Sequence, residues 1–224
     1  MSKLDKLKAH IQRWGWWRTL YFLVMRAAAR YLKLELFVLR VRDTAATNPE
    51  NPCRLSGVTF REVDADEILT LARDPDVPLG RGFVRAATRR EDLAYGAFKD
   101  ESLIAYLWRS TSTAPHNDAC WVSVSAPYSY SYNSFSKPEF RGQRIVPGLL
   151  LYSDEEMMKK GYTHRAGIVA TSNFSSLAMG KHLGSQVIGH IAYTNWFGRI
   201  QYFRSRSVSE TGFKLLPKPG KVER

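Results

Sequence analysis

A mixed α/β domain behind a basic amphipathic helix is the fold class this sequence predicts, on three observations. From residue 58 onward, short β-branched and aromatic runs alternate with stretches of helical periodicity. Hydrophobic residues make up 44% of the 224-residue chain, enough to bury a sizeable core and to exclude a disordered class. The basic excess is concentrated at the front, where residues 1–44 hold ten Lys/Arg against Asp5, Glu35 and Asp43, so seven of the twelve excess positive charges lie in the first fifth of the chain.

In that first segment Leu4, Leu7, Ile11, Trp14, Tyr21, Val24, Met25, Ala28 and Leu32 recur near helical spacing, with most Lys and Arg side chains elsewhere. The longest uncharged apolar run, LYFLVM, is far short of the ~20 residues a spanning helix needs. A signal peptide fits less well, because Arg18 and Arg26 interrupt what would be its apolar region, although Ala27–Ala29 resemble a cleavage site. Trp14, Trp16, Trp17, Tyr21 and Phe22 beside arginines suit a membrane interface; a helix packed on its own domain, or a dimer contact, fits the same pattern. KLELFVLRVRD then reads as a strand and TAATNPENP as a linker.

The remaining elements follow in order. GVTFREV is a strand and DADEILTLARD a helix capped by Asp64. VPLGRGFVRAATRREDL is turn-rich with room for a short helix, and AYGAFKDESLIAYLWRSTS is a hairpin turning at Lys99–Glu101. CWVSVSAPYSYSYNSFSKP alternates but breaks at Pro127, giving one bent strand or two. A helix from about Ile145, the strand HRAGIVAT, the helix SNFSSLAMGKHLG and strands in QVIGHIAY and RIQYFRSR complete the pattern.

The passage most suggestive of chemistry is KPEFRGQRIVPGLLL. A strand ending at Phe135, a turn over Pro138–Gly142 and a helix with Pro147 in its first turn leave N–H groups free at a helix N-terminus, whose partial positive charge suits phosphate. Gly142 lets a ligand approach the backbone. An Arg-rich solvent turn is the alternative reading. Charge points the same way, since a net +12 predicts an anionic partner: a phosphorylated cofactor, an acidic carrier protein, an anionic membrane or nucleic acid. Nucleic acid is not expected, because no recognisable binding module is present. Cys53 and Cys120 are too few for a disulfide framework, no Cys/His spacing predicts a metal, and a reducing cytoplasm is the simplest compartment.

FSKPEFRGQRIVPGLLL resembles the signature of the GCN5-related N-acetyltransferase (GNAT) superfamily, a strand, a Pro-x-x-Arg-Gly turn and an apolar helix. About 30 residues on, GIVATSNFSSLAMGKHLGSQVIG resembles its second hallmark, carried here by Asn173, Ser176, Leu183 and Gly184. The resemblance covers residues 58 to about 204. It implies a central, mostly antiparallel sheet with a V-shaped opening flanked by helices, and acetyl-CoA or another acyl-CoA as co-substrate, with no metal. Phe135 and Ser136 would pair with pantetheine, Arg141, Gly142, Gln143, Arg144, Ile145 and Val146 would receive the pyrophosphate, and Asn173 and Ser176 would meet the pantetheine arm or the adenine-side phosphates. The organisation expected is a basic helical segment over 1–44 ending in a strand, a linker over 45–54, the GNAT-like domain over 55–206 and a basic tail over 207–224.

The sequence departs from the family pattern at three places. Arg144 and Val146 stand where small residues are usual, Gly180 stands where many relatives carry a tyrosine acid, and no carboxylate lies in CWVSVSAPYSYSYNSFS where a general base is often found. Tyr130 and Tyr132, on one face of an alternating strand, are the candidate catalytic hydroxyls, with strand packing as their other reading. The function implied is N-acyl transfer from acyl-CoA, or from an acidic carrier protein, to an amine. An amino sugar or lipid-linked precursor at the cytoplasmic membrane surface is the first acceptor to try, and a homodimer is compatible. The alternative is a silent acyl-CoA sensor or membrane-recruited interaction module of the same fold.

Overall fold

Gly15 decides how the chain begins. Its φ of 83° is a left-handed conformation that glycine adopts freely, so the expected single helix folds as two, α1 (Lys3–Trp14) and α2 (Trp16–Ala27). The second runs into a π-helical turn over Ala28–Leu32, and Lys33 (φ 49°) turns the chain into strand β1 (Leu34–Asp43). The computed structural model describes residues 3–46, 52–117, 120–196 and 199–218; half of the expected linker, 47–51, and the last six residues lie outside these.

The middle of the chain holds β2 (Thr59–Val63), α3 (Ala65–Leu71), α4 (Arg81–Arg89), β3 (Leu93–Lys99), β4 (Ser102–Ser110), β5 (Thr113–Pro115), β6 (Cys120–Ser123) and β7 (Tyr128–Ser136). Asp64 caps α3 as expected, accepting from the N–H groups of Asp66 and Glu67 at 3.0 and 2.8 Å. Pro127 divides its segment into two strands, β6 and β7, that join different sheets. After a 3₁₀ turn over Pro138–Phe140 come α5 (Ile145–Lys159), β8 (His164–Ala170), α6 (Phe174–His182), β9 (Gln186–Trp196), β10 (Arg199–Arg204), α7 (Arg206–Glu210) and β11 (Lys214–Pro217).

Two compact units result, one of Met1–Arg40 with Ile168–Thr211 and one of Val41–Gly167 with Gly212–Arg224; β1 and β8 each run through both. Near the C-terminus α7 occupies Arg206–Glu210 and β11 pairs antiparallel with β6, Leu216 opposite Trp121.

In the larger unit the strands run β8-β7-β4-β3-β2, with β11-β6-β5 as a separate small sheet. Pairing is antiparallel except between β7 and β8, whose parallel register covers only Tyr128–Tyr130 against His164–Ala166. Beyond Tyr130, β7 continues to Ser136 with β4 as its partner. Leu149 and Met157 of α5 are fully buried, and the helix packs over β2, β3, β4 and β7.

In the core of this unit one carboxylate, that of Asp154, meets three guanidiniums. Asp154 on α5 accepts from Arg109 at 2.8 Å through Oδ1, and from Arg42 and Arg165 at 2.8 and 2.9 Å through Oδ2. Arg109 also donates to Ser153 at 3.0 Å and to Ser129. Asp154 and Arg109 are wholly buried, and burial of this kind is tolerable only while every charge keeps its partners.

In the smaller unit the order is β10-β9-β1-β8. Phe174, the first residue of α6, is gripped by the N-terminal helices. Trp14, Tyr21 and His10 lie 5.8, 6.4 and 6.4 Å from its ring, and the Arg18 guanidinium sits over it at 5.8 Å. His10 also stacks on Phe22 and bonds Thr19, which pins α1 to α2.

Candidate functional site

The cradle is built by two left-handed residues that flank one anchored peptide. Gly142 has φ 85° and Arg144 φ 57°, and between them the Gln143 carbonyl accepts from the Arg54 N–H at 2.9 Å. Among the described residues, the N–H groups of Gly142, Gln143, Arg144, Ile145 and Val146 donate no hydrogen bond; the first donor inside the helix is Gly148, to Arg144. Left-handed and helical residues in succession turn neighbouring N–H groups into one concave anion-binding nest. No acidic residue lies in the first turn of α5, and the Arg141 and Arg144 side chains are exposed. Ile145 anchors the helix start in the core at 2% exposure.

Upstream, β7 carries a bulge that sequence reading missed. Tyr106 pairs with Phe135 and Trp108 with Tyr132, so three steps on β7 oppose two on β4, and Asn133 takes φ 46°. A bulge leaves one residue out of the ladder and re-aims its backbone groups, here a few residues ahead of the cradle. Phe135 stacks on Tyr106 at 5.4 Å, and Ser136 stays in register with Ala105.

Tyr130 and Tyr132 do share a face, with rings 5.7 Å apart and nearly parallel. Both are buried, burial raises the pKa of both, and both hydroxyls have protein partners. Tyr130 is bonded to His116 Nδ1 at 3.0 Å. Desolvation lowers the pKa of that imidazole to about 4, so it is neutral at ordinary pH. Tyr132 donates to Asp92 Oδ2 at 2.8 Å and accepts from Arg90 at 3.2 Å. Asp92 supplies the carboxylate that the strand itself lacks. Burial raises its pKa first of all, against the hydrogen bonds from Ser110 and Tyr132 and the nearby charge of Arg90, which favour the ionised form. The only sequence signal for it was an acidic residue just before β3.

Tyr132 lines a cleft of about 380 Å³ with Phe83, His116, Asn117, Trp121 and Asn133. Its walls are aromatic rings, its polar groups are carboxamides, an imidazole and a phenol, and Lys218 stands at its edge.

Asn173 and Ser176 belong to the smaller unit. Asn173 caps α6, its side-chain oxygen accepting from the Ser176 N–H at 3.1 Å, which gives a structural reason for an Asn followed three positions later by a small residue. It also lines a cleft of about 530 Å³ with Lys6, His10, Arg13 and Phe22. Gly180 has a local cause too. A Cβ there would lie 2.8 Å from Nε of Arg40, whose guanidinium crosses α6 to donate to the carbonyls of Leu177 and Ser185. Gly180→Ala should therefore lower stability by about 1–3 kcal/mol through overpacking, read as a reduced urea midpoint. Among the described residues no cluster of His, Cys, Asp and Glu could hold a metal ion.

No family profile matches the sequence, and no curated protein matches it. Solved structures do. A GCN5-related N-acetyltransferase from Sphaerobacter thermophilus superposes with a TM-score of 0.51 at 12% identity, covering 81% of this chain and 56% of that one. A protein assigned to the GNAT acetyltransferase family, from Novosphingobium aromaticivorans, gives 0.50 at 18% identity, covering 72% and 63%. The chain thus spans somewhat over half the length of these structures. Such identities speak to architecture alone, and the large, mostly antiparallel sheet flanked by helices matches them: the chain has the GNAT fold.

Proposed function

We propose that the protein transfers an acyl group from acyl-CoA to an amine, with pyrophosphate held by Arg141–Val146 and the acceptor in the cleft beside Tyr132. The observation that carries this reading is the run of unbonded N–H groups from Gly142 to Val146 at the head of α5, on a fold whose solved examples include N-acetyltransferases. Pantetheine would run along the end of β7 by Phe135 and Ser136, where a bulge N–H is suited to a thioester oxyanion.

The acceptor arrives as an ammonium and must lose a proton to attack. In this reading the ammonium proton passes to the Tyr132 oxygen as the Tyr132 proton passes to Asp92 Oδ2, leaving a neutral amine, an intact phenol and a neutral carboxyl group. A carboxyl whose pKa is raised by burial is a better proton acceptor than an ordinary surface aspartate. Rings flanked by carboxamides suit a polyhydroxylated amine such as an amino sugar, presented free or on a lipid at the cytoplasmic membrane surface. The free amines and acyl-CoA make a soluble assay possible, read as release of the CoA thiol.

Calorimetry with CoA and acetyl-CoA tests the cradle. Gly142→Pro removes one N–H and imposes φ near −65° where 85° is required, so affinity for both should fall by about 100-fold or more. A Cβ at this position meets nothing within 4 Å, but the positive φ makes any substitution strained, so the affinity is read on protein whose cooperative melting shows that it is folded. Unchanged CoA affinity in that variant overturns the assignment.

A further inference from the structure

The N-terminal helices have two faces, and among the described residues only one is packed against the protein. Toward α6, His10, Trp14, Tyr21 and Arg18 close around Phe174. On the outer side of α2, at 100° per residue, Leu23, Trp16, Ala27, Leu20, Val24 and Trp17 follow one another across roughly 120° with no charged residue among them. All six are exposed, Trp17 to 78%, Trp16 to 61% and Val24 to 54%. Tyr31 and Leu32 of the π-helical turn extend the apolar surface at 75% and 52%. Two exposed arginines, Arg26 and Arg30, border the Leu23 side of the stripe, and Lys33 ends it.

We infer that this face of α2 docks onto an anionic lipid bilayer, lying in the interface with Trp16 and Trp17 at headgroup depth and Arg26 and Arg30 on lipid phosphates. Three physical arguments favour that occupant. Indole rings exposed beside guanidiniums match the polarity gradient of the headgroup region, apolar body inward and cation outward. The segment of residues 1–44 supplies seven excess positive charges, a long-range attraction to an anionic surface and a repulsion toward a second copy of itself. The footprint, about 18 Å long and about 10 Å wide, is on the order of 200 Å², whereas a stable protein interface takes about 800 Å² from each partner. No described helix is long and apolar enough to cross a membrane, which agrees with a helix lying along the surface.

The structure also corrects the sequence expectation that Trp14 inserts beside Trp16 and Trp17. Trp14 is half-buried on Phe174, with Arg13 over its ring at 5.0 Å. This inference deepens the membrane element of the proposed function, yet it is readable without turnover.

The full chain is sedimented with phosphatidylcholine vesicles, with and without phosphatidylglycerol, across a salt series. Binding is expected only with the anionic lipid and should weaken as salt rises. Trp16→Ser/Trp17→Ser should reduce it by on the order of tenfold or more at low salt, with an unchanged melting temperature because both residues are exposed. Arg26→Gln/Arg30→Gln should reduce it at low salt and lose its effect at high salt. On the unaltered protein, brominated lipid should quench tryptophan emission, and Trp14→Phe should leave that quenching in place. Failure to pellet with anionic vesicles overturns the inference. So does a self-associated species in sedimentation velocity that Trp16→Ser/Trp17→Ser dissociates, since that assigns the face to a second copy. Acyl transfer to a soluble amine is measured separately, so that vesicle binding without turnover removes the enzymatic reading and leaves this one standing.

Discussion

Asp154→Asn should destabilise the larger unit by about 3–5 kcal/mol, the range for breaking a buried ion pair from one side. The carboxylate is the acceptor common to Arg42, Arg109 and Arg165, at 2.8, 2.8 and 2.9 Å. An asparagine keeps one acceptor oxygen but places an NH₂ group against a guanidinium donor, and it removes the negative charge from a cluster that Arg109 cannot leave for water. At 25 °C the expected loss is at least 100-fold in the folding equilibrium, read as a lowered urea midpoint with an unchanged slope. A loss below about 1 kcal/mol would show that Ser129, Ser153 and the remaining partners hold the guanidiniums without the carboxylate.

The second large effect is on turnover. Tyr132→Phe and Asp92→Asn should each lower kcat by about 10² to 10⁴, with the affinity for acyl-CoA retained. They differ in a way that separates chemistry from packing. Asp92→Asn keeps an oxygen in position to accept from Tyr132, so its cost is mainly the lost proton acceptor; Tyr132→Phe removes the hydroxyl and leaves Asp92 with Arg90. The pH profile gives the sign. Burial raises the Asp92 pKa, so the ionised, proton-accepting form and the activity with it are lost as pH falls through a value above the ordinary aspartate range. For stability the same shift runs the other way, because ionising a carboxyl with a raised folded-state pKa costs folding free energy as pH rises. The acid limb of kcat should disappear in Asp92→Asn. If both variants keep full turnover, the proton leaves by another route and the Tyr132 cleft is not where the amine sits.

The parts of this molecule that could be read from its sequence are those whose partners lie close along the chain. The cradle is contiguous from Lys137 to Val146, Asp64 caps a helix two and three residues ahead, and the hairpin turns at Asp100 and Glu101, both left-handed at φ 48° and 62°. The carboxylate of the candidate site was not legible, because Asp92 reaches Tyr132 from 40 residues away, with four strands, β3 to β6, between them. The bulge at Asn133 was invisible because an alternating run looks the same with or without one added residue. Gly15 was read through as part of a helix because the hydrophobic spacing resumes on its far side, and β11 passed for tail because four residues carry no periodicity. In each case the missing information was a contact or a dihedral angle, not a residue type.

Arg40 and Gly180 illustrate what such a distant contact does to a lineage. The arginine on β1 occupies the volume above α6 that any side chain at position 180 would need, with 2.8 Å between Nε and the site of a Cβ. Neither position is free to drift alone. A tyrosine at 180, which the family resemblance would place there, becomes admissible only after position 40 has shortened, and shortening position 40 first opens a void beside α6. The pair is therefore a ratchet in sequence space: a descendant of this chain acquires that tyrosine through a destabilised intermediate, and Gly180→Tyr should be tolerated on an Arg40→Ala background and rejected on this one.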